Sequence, residues 1–564
     1  MPSTNVDVVI VGGGPFGLML AIELGRRGIR TELFDEKQST AFNPQANATQ
    51  ARTMEYYRRL GIADEIRELG LTADFPTDIA YFTRYAKHEL ARFGLPSARE
   101  ARDRVRGLSG SWSAAELPHR VSQKFVEHVL LRHAKALETV TINFGWRLTG
   151  FSDVGDSVIA EVEDATNGRR RTVSGRYLAA GDGARSFVRR QLGFHYVGET
   201  GAVRDFFGGR MLALYLRAPE FYQVVPHQPA WMNVAFNQDR RAFMCAVDGK
   251  GEFAFHTQLR DGEDENRISD ADALSMFLAA VGAPVRTELL SRGSWTAGHA
   301  LVADRFQSGR VMLGGDAVHL FTPAGGLGYN TAVEDAVNLG WKLASVVKGV
   351  ADERLLDTYE IERRPVAVRN TGYARAFAES LGCFVAKPGL EGDDDLGREL
   401  RREAGAYLER HGKSEFNIPG VTFGARYDTS TIIVPDGAPI PPDNAHVYQP
   451  TASPGGRAPH LWLDDGRSLF DAFGFDWTLL RIGADPPSGE RLKTAALAAG
   501  MQLEIVHVES SRLRELYEAP LALIRPDQVV AWRGESDVNA DAVVETLLGR
   551  HVPWPERRAR SVAH

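Results

Sequence analysis

Val6-Asp7-Val8-Val9-Ile10-Val11-Gly12-Gly13-Gly14-Pro15-Phe16-Gly17 decides how this chain is read. Val6 to Val11 is apolar and β-branched, as a buried strand requires. Gly12, Gly14 and Gly17 follow at once, and Leu18, Leu20, Ala21 and Leu24 then recur at helical spacing. Gly28 punctuates, and Thr31 to Phe34 reads as a second strand ending at Asp35. The whole is one βαβ unit of about thirty residues. In such a unit the first glycine makes the tight turn, the second lets backbone approach a pyrophosphate, and the third packs helix on strand. Unpaired N–H groups and the positive end of the helix dipole then face the phosphates. Asp35, with Glu36 beside it, stands where a carboxylate accepts ribose hydroxyls. A glycine triplet alone is a weak signal. The flanking strand, helix and acidic residue together make an adenine-dinucleotide cradle the expected reading.

Outward from this unit, Ser122 to Ala136 reads as a helix. Val158 to Val162 and Arg171 to Val173 read as paired strands around the Asn167-Gly168 turn. A separate strand, Arg176 to Ala180, leads into Gly181-Asp182-Gly183. From Leu212 to Leu259 the segments are strand-like. Near Gly309 the first pattern returns, with strand Val311 to Leu313, a glycine-rich turn, and a long helix from Asn330 to Val347. Pro435 to Gly456 is rich in Pro, Gly and Asn and reads as a linker or a long irregular entry. Trp477 to Ile482, Gln502 to Val508 and Leu521 to Ile524 then read as strands.

A length of 564 residues suggests about three to five folding units. With 43% hydrophobic and 25% charged residues, the chain can bury large cores. A net charge of −7 gives no reason to expect a nucleic acid or an anionic membrane as partner. Cys245 and Cys383 are too few for a disulfide framework or a cysteine-rich metal site, so no metal is expected. The start carries no leader pattern, and no run approaches the ~18 apolar residues of a spanning helix. A cytoplasmic protein is the expectation. The basic tail Arg557-Arg558-Ala559-Arg560 reads as a solvated end.

Further motifs carry a family resemblance. Gly181-Asp182-Gly183-Ala184-Arg185-Ser186 resembles the DG motif of class A flavoprotein hydroxylases, and Gly314-Gly315-Asp316-Ala317-Val318-His319 their GD motif. Pro323-Ala324-Gly325-Gly326-Leu327-Gly328-Tyr329-Asn330 continues the second, ahead of Asp335-Ala336 and Asn338-Leu339-Gly340. The stretch Asn43-Pro44-Gln45-Ala46-Asn47, followed by Arg52-Thr53-Met54-Glu55, resembles the phenol hydroxylase loop that lies along the flavin. The C-terminal stretches Arg457-Ala458-Pro459-His460-Leu461-Trp462-Leu463 and Leu523-Ile524-Arg525-Pro526-Asp527 resemble the thioredoxin-like domain of phenol and polyketide hydroxylases. That region holds no cysteine, which excludes dithiol chemistry. A structural or homodimer-contact role remains.

The resemblance implies an α/β plus α+β fold. A Rossmann-like FAD-binding domain is expected from residues 1–75, 105–185 and 296–375, and a β-rich substrate domain from 76–104 and 186–295. A helical connector follows at 376–430, a thioredoxin-like domain at 431–548, and a tail at 549–564. It implies FAD as cofactor, NADPH or NADH as reductant, and O2 with a small phenolic compound as substrates. Oxygen is delivered to the ring through a flavin C4a-hydroperoxide. Cofactor contacts are expected from Gly12, Gly14, Pro15, Phe16, Gly17, Asp35, Glu36, Gln45, Ala46, Gln123, Asp182, Asp316, Gly325, Gly326, Leu327, Gly328 and Asn330. The carbonyl of Pro323 would face the reacting flavin carbon. His319 reads equally as cofactor neighbour and as packing.

Asn47 departs from the phenol hydroxylase pattern, which has a carboxylate there, and an amide takes no proton near neutral pH. It either hydrogen-bonds a substrate hydroxyl or fixes its own loop. Arg210, Tyr215, Tyr222, His227 and Trp231 are the candidates for reaching a substrate pocket. A Baeyer–Villiger oxygen insertion and an uncoupled NAD(P)H oxidase on the same scaffold stay open. A flavin halogenase is disfavoured, since no Trp-x-Trp-x-Ile-Pro stretch occurs.

Overall fold

The computed structural model describes residues 4–200 and 208–550. The basic tail at 557–560 lies outside them. The chain divides into two compact units: residues 1–340, 363–424 and 443–449 form one, and residues 341–362, 425–442 and 450–564 the other.

The first unit is built on an eight-stranded sheet. Its parallel heart runs Val311–Leu313, Arg170–Ala180, Thr4–Val11, Thr31–Asp35, Val140–Phe144. Val8 to Val11 are buried, as a central parallel strand requires. Helix Pro15–Gly25 is buried on every side from Phe16 onward, so the apolar face read in the sequence is only part of its packing. Glu23 lies within that helix at 0% exposure and is neutralised by Arg27 and Arg59. Arg170–Ala180 is one continuous strand, where the sequence suggests two. The polar Ser174-Gly175 step looks like a break but pairs on one side with Asn5 and Val6 and on the other with Ile159 and Val158.

A second, seven-stranded sheet runs Glu288–Ala297, Gly209–Arg217, Glu252–Gln258, Arg241–Ala246, Met232–Phe236, Ile79–Phe82, Glu89–Phe93. Only Ile79–Phe82 and Met232–Phe236 pair in parallel. Strands from the two segments around 79–93 and 209–297 thus complete one surface. Helix Asp395–Phe416 packs along Glu89–Phe93, with Gly412 set against the side chains of Phe93 and Tyr81. The region read as a helical connector is, up to Gly424, part of this unit.

The second unit holds a four-stranded sheet ordered Leu503–Val508, Trp477–Ile482, Leu521–Ile524, Val530–Gly534. The first two strands are parallel and the others antiparallel, with helices Glu490–Ala498 and Ala540–Leu547 in the connections and at the end. This is the thioredoxin-like order. Residues 341–362, which end one long helix and begin the next, belong to this unit.

Candidate active site

The glycine motifs of the first unit meet around one ring. A Cβ on Gly181 would lie 2.5 Å from Phe16 Cδ1, and one on Gly314 would lie 2.0 Å from Phe16 Cε2. Only glycine leaves Phe16 this room, so the side chain of Phe16 keys the three motifs together. Gly12 adopts φ +102° and passes so close that its Cβ would be 2.3 Å from the Gly181 carbonyl oxygen. Gly17 lies against the Gly12 carbonyl, a Cβ there falling 1.9 Å from it. Gly14 differs: nothing lies within 4 Å of its Cβ position, and no side chain caps the helix it opens. Open space in front of uncapped N–H groups is what a pyrophosphate needs. Asp35 accepts from Gly13 N–H at 2.6 Å and Lys37 N–H at 2.8 Å, which leaves one lone pair on each oxygen for a further donor. Glu36 is exposed on the following turn.

Asp182 caps the short helix Phe187–Gln191 through Oδ2, accepting from Phe187 N–H at 2.7 Å and Val188 N–H at 3.1 Å. Its Oδ1 is buried and has no partner among the described residues. Solvent reaches the Asp316 side chain, yet the surrounding protein raises its carboxyl pKa, against the pull of His319 and Lys37. Beneath it, His319 Nε2 lies 2.7 Å from Asp335 Oδ2, which also accepts from Gly315 N–H at 3.1 Å. Arg363 Nε donates to the other oxygen of Asp335 at 2.8 Å. All three side chains are fully buried. Burial pushes the Asp335 carboxyl up, but His319 and Arg363 outweigh it and the net shift is downward. His319 is thus part of a charged brace under the GD loop. Arg363 escapes the motif reading, which quotes Asp335 without a role.

Asn330 clamps two loops. Its Nδ2 donates to Ala48 O at 3.0 Å and Gly326 O at 2.6 Å, and its Oδ1 accepts from Gln50 N–H at 2.8 Å. Gln50 Nε2 donates to Gly325 O at 2.7 Å, and Glu415 Oε1 accepts from Gly325 N–H at 2.9 Å. With its amide hydrogens committed in this way, Asn330 positions backbone. Gly325 and Gly326 take φ +65° and +64°, where glycine is the favoured residue. Leu327 is buried, Gly328 sits against Phe321, and Pro323 is exposed at the mouth of the loop. Gln123 donates its backbone N–H to Ala46 O at 2.7 Å and its side-chain amide to Glu127 at 2.6 Å. Gln45 is exposed, while Asn47 is half-buried with an Oδ1 that has no partner among the described residues.

Side chains alternate between the faces of a strand, so register sorts the substrate-sheet candidates. Tyr215 faces the loops: Lys124 Nζ donates to its hydroxyl at 2.7 Å and Phe42 packs on its ring. Met211, Phe243, His256 and Trp295 share that face by pairing. Arg210 falls on the opposite face, held by Glu265 and by Thr296 Oγ1 at 2.8 Å. Tyr222 is packed among Phe75, Phe221 and Phe253. His227 lies against Phe82 and the Lys87 carbonyl. Of these four, the structure brings only Tyr215 to the loops, because the strand alternation that separates Arg210 from Tyr215 is set by pairing partners far away in sequence. Trp231 lies just ahead of strand Met232–Phe236 and stacks under the guanidinium of Arg120, 4.5 Å from its ring centre.

Comparison with known proteins decides what this arrangement belongs to. Residues 5–374 match the FAD binding domain family, and residues 451–551 match the family described as aromatic-ring hydroxylase, C-terminal. The chain belongs to the class A flavoprotein aromatic hydroxylases. It is 32% identical to the tetracenomycin B2 monooxygenase-dioxygenase of Streptomyces olivaceus, over 98% of this chain and 99% of that one. It is 30% identical to a 4-methyl-5-nitrocatechol 5-monooxygenase of a Burkholderia species, over 94% of each. Among solved structures, RebC with bound 7-carboxy-K252c superposes with a TM-score of 0.87 at 31% identity, covering 98% of this chain and all of that one. As a member of this family the protein is an FAD-dependent monooxygenase, and NAD(P)H is the co-substrate typical of the class. No helix among the described residues is long and apolar enough to cross a membrane.

Proposed function

We propose that this hydroxylase acts on a phenolic ring held between the loop 45–50, the turn 323–328 and the sheet face that carries Tyr215. The observation that carries the reading is the half-buried Asn47 amide, whose Oδ1 has no partner among the described residues, taken with the aromatic wall on the Tyr215 face of the sheet. A substrate hydroxyl supplies the missing donor. In the wall, Phe243 stacks on His256 at 4.6 Å, and Trp295 Nε1 donates to His256 Nδ1 at 3.1 Å. Burial lowers the His256 pKa to about 4, so the wall is neutral at neutral pH. A neutral aromatic surface favours a flat ring and excludes water.

The bound flavin supplies the redox chemistry, taking electrons from NAD(P)H and passing one oxygen atom of O2 to the ring. The protein's part is to hold and shield. Gly12, Gly14 and the N–H groups of Phe16 and Gly17 would hold the pyrophosphate, Asp35 the ribose, and Asp182 and Asp316 the polar ribityl chain. Gly325 to Gly328 and Ala46 would hold the ring. The test is consumption of O2 and NAD(P)H across substituted phenols, with product mass. A gain of one oxygen with the ring intact supports hydroxylation. Ring expansion or peroxide without product overturns it.

Asn47 sets the choice of phenol. An amide cannot remove the phenolic proton, so substrates that ionise readily should be preferred, as the name of the Burkholderia relative's nitrocatechol substrate suggests. Asn47→Asp should raise coupled hydroxylation of weakly acidic phenols by about 10²-fold, the low end of what a placed base contributes. It should lower turnover of phenols already ionised, because two anions would then share a partly desolvated site. Coupled product per NAD(P)H is plotted against phenol pKa for both proteins. Superimposable plots would remove Asn47 from the site.

A further inference from the structure

Arg120 is a buried cation without an anion. It is only 5% exposed, and its guanidinium lies 4.5 Å from the ring centre of Trp231 and 5.7 Å from that of Phe416. Among the described residues no carboxylate or carbonyl bonds to it. The acidic groups that act on it from a distance are Cys245 and Glu415. Neither serves as its partner. Burial pushes the Cys245 thiol up to about 12, which keeps it neutral. Glu415 is engaged elsewhere, accepting from Gly325 N–H at 2.9 Å and lying 2.9 Å from His411 Nε2. Burial therefore dominates and lowers the Arg120 pKa to about 10, still charged at neutral pH.

The position of this cation is fixed by backbone. Thr49 and His119 exchange N–H and carbonyl bonds at 2.9 and 2.8 Å, and Gln123 N–H reaches Ala46 O at 2.7 Å. Residues 119–123 thus run antiparallel beside 46–49, with Arg120 opposite Ala48. Ala48 in turn touches Gly326, where an added Cβ would lie 2.9 Å from it. The Nε1 of Trp231 is also buried without a partner among the described residues. A guanidinium and an indole N–H, both unsatisfied and adjacent, lie beside the loops assigned above to flavin and substrate. Guanidinium forks match planar oxyanions, and a buried charge without a fixed partner marks a functional site.

We propose that Arg120 is the anion receptor of this site and that the aromatic substrate carries an oxyanion, either a carboxylate or a deprotonated ring hydroxyl, which binds the Arg120 guanidinium with help from Trp231 Nε1–H. The proposal rests on the aromatic-substrate reading above and adds the charge of the substrate to it. Stacking on Trp231 holds the guanidinium plane in place while leaving its edge for the ligand.

The test needs binding alone. Purified FAD-loaded protein is titrated with 3-hydroxy-2-naphthoate, its neutral amide 3-hydroxy-2-naphthamide, and 2-naphthol at pH values on either side of its ionisation. Flavin absorbance and tryptophan fluorescence report binding. The acid should bind about tenfold or more tightly than the amide, the scale of one charge-assisted bidentate contact. Preference for ionised over neutral 2-naphthol identifies a ring oxyanion as sufficient; preference for the acid alone identifies a carboxylate. Arg120→Gln should erase the acid's advantage and leave amide affinity within about threefold, and Arg120→Lys should keep part of it. An acid that binds no tighter than its amide, together with no preference for ionised over neutral 2-naphthol, overturns the proposal, as does a preference that survives Arg120→Gln. If Arg120→Gln loses its flavin, the wild-type comparison still decides. Acid preference in a protein that hydroxylates no phenol would keep the receptor and remove the hydroxylation reading.

Discussion

Replacing Gly14 by leucine is expected to give a folded protein that is colourless. Gly14 has φ −82°, a backbone conformation any residue adopts, and nothing lies within 4 Å of its Cβ position. The new side chain therefore meets no protein atom where it leaves the backbone; losing glycine at the helix N-cap costs only about 1 kcal/mol. What it fills is the space in front of the uncapped amides of helix Pro15–Gly25. Two N–H bonds to charged phosphate oxygens are together worth about 3–6 kcal/mol, so blocking them weakens FAD binding by about 10² to 10⁴-fold. Gly17→Ala is the contrasting variant. Its Cβ would fall 1.9 Å from the Gly12 carbonyl oxygen, so backbone must move and the apoprotein itself should melt earlier. The measurements are flavin absorbance per chain after reconstitution and thermal unfolding of each apoprotein. Near-full flavin loading in Gly14→Leu would mean that the pyrophosphate lies elsewhere.

Gly14 was legible because local sequence determines it. A strand, three glycines, a helix and Asp35 all lie within one βαβ unit, and each constrains its neighbours. The DG and GD motifs were legible for the same reason. The brace under the GD loop was not, because His319, Asp335 and Arg363 come from a short strand and two successive helices, and only packing joins them. The same holds for Gln50, Asn330 and Glu415, which fasten residues 48–50 to Gly325 and Gly326. Their identities give no hint of partners hundreds of residues away. The substrate sheet shows the limit most plainly. Strand character over 212–259 is visible in the residues, but the parallel pairing of Ile79–Phe82 with Met232–Phe236 is not. Which face Arg210 takes depends on register against strands drawn from separate segments, and a shift of one residue would exchange it with its neighbours.

Glu362→Ala should lower the melting temperature of the second unit substantially. Glu362 Oε1 accepts from Ser430 Oγ at 2.5 Å and Arg525 Nη1 at 2.8 Å, and its Oε2 accepts from Lys342 Nζ at 2.6 Å and Arg525 Nη2 at 2.8 Å. Asp527 takes the remaining edge of Arg525 and also accepts from Trp341 Nε1 at 3.3 Å. Lys342, Glu362, Arg525 and Asp527 are almost wholly buried, two positive against two negative. Removing Glu362 leaves two buried cations facing one anion, which costs about 3–5 kcal/mol. For a unit of this size, that is a fall of roughly 6–20 °C in melting temperature. The loss should depend on pH with a definite sign. Burial already holds the Lys342 pKa down at about 8, with Glu362 pulling upward against it, so without Glu362 it falls further. The unfolded chain then binds more protons than the folded one below its ordinary lysine pKa, and the variant regains stability as pH rises toward it. The gap to wild type should therefore narrow between pH 7 and pH 9.5. Adding Lys342→Met to Glu362→Ala should recover part of the loss at pH 7, because one unmatched cation is gone. Truncation at residue 431 removes Arg525 and Asp527 together with the four-stranded sheet and should be destabilising for a different reason: Lys342 and Glu362 stay balanced but lose the core that buries them. A shift under about 2 °C for Glu362→Ala, or a gap that does not change with pH, would show that packing rather than charge balance holds this core together.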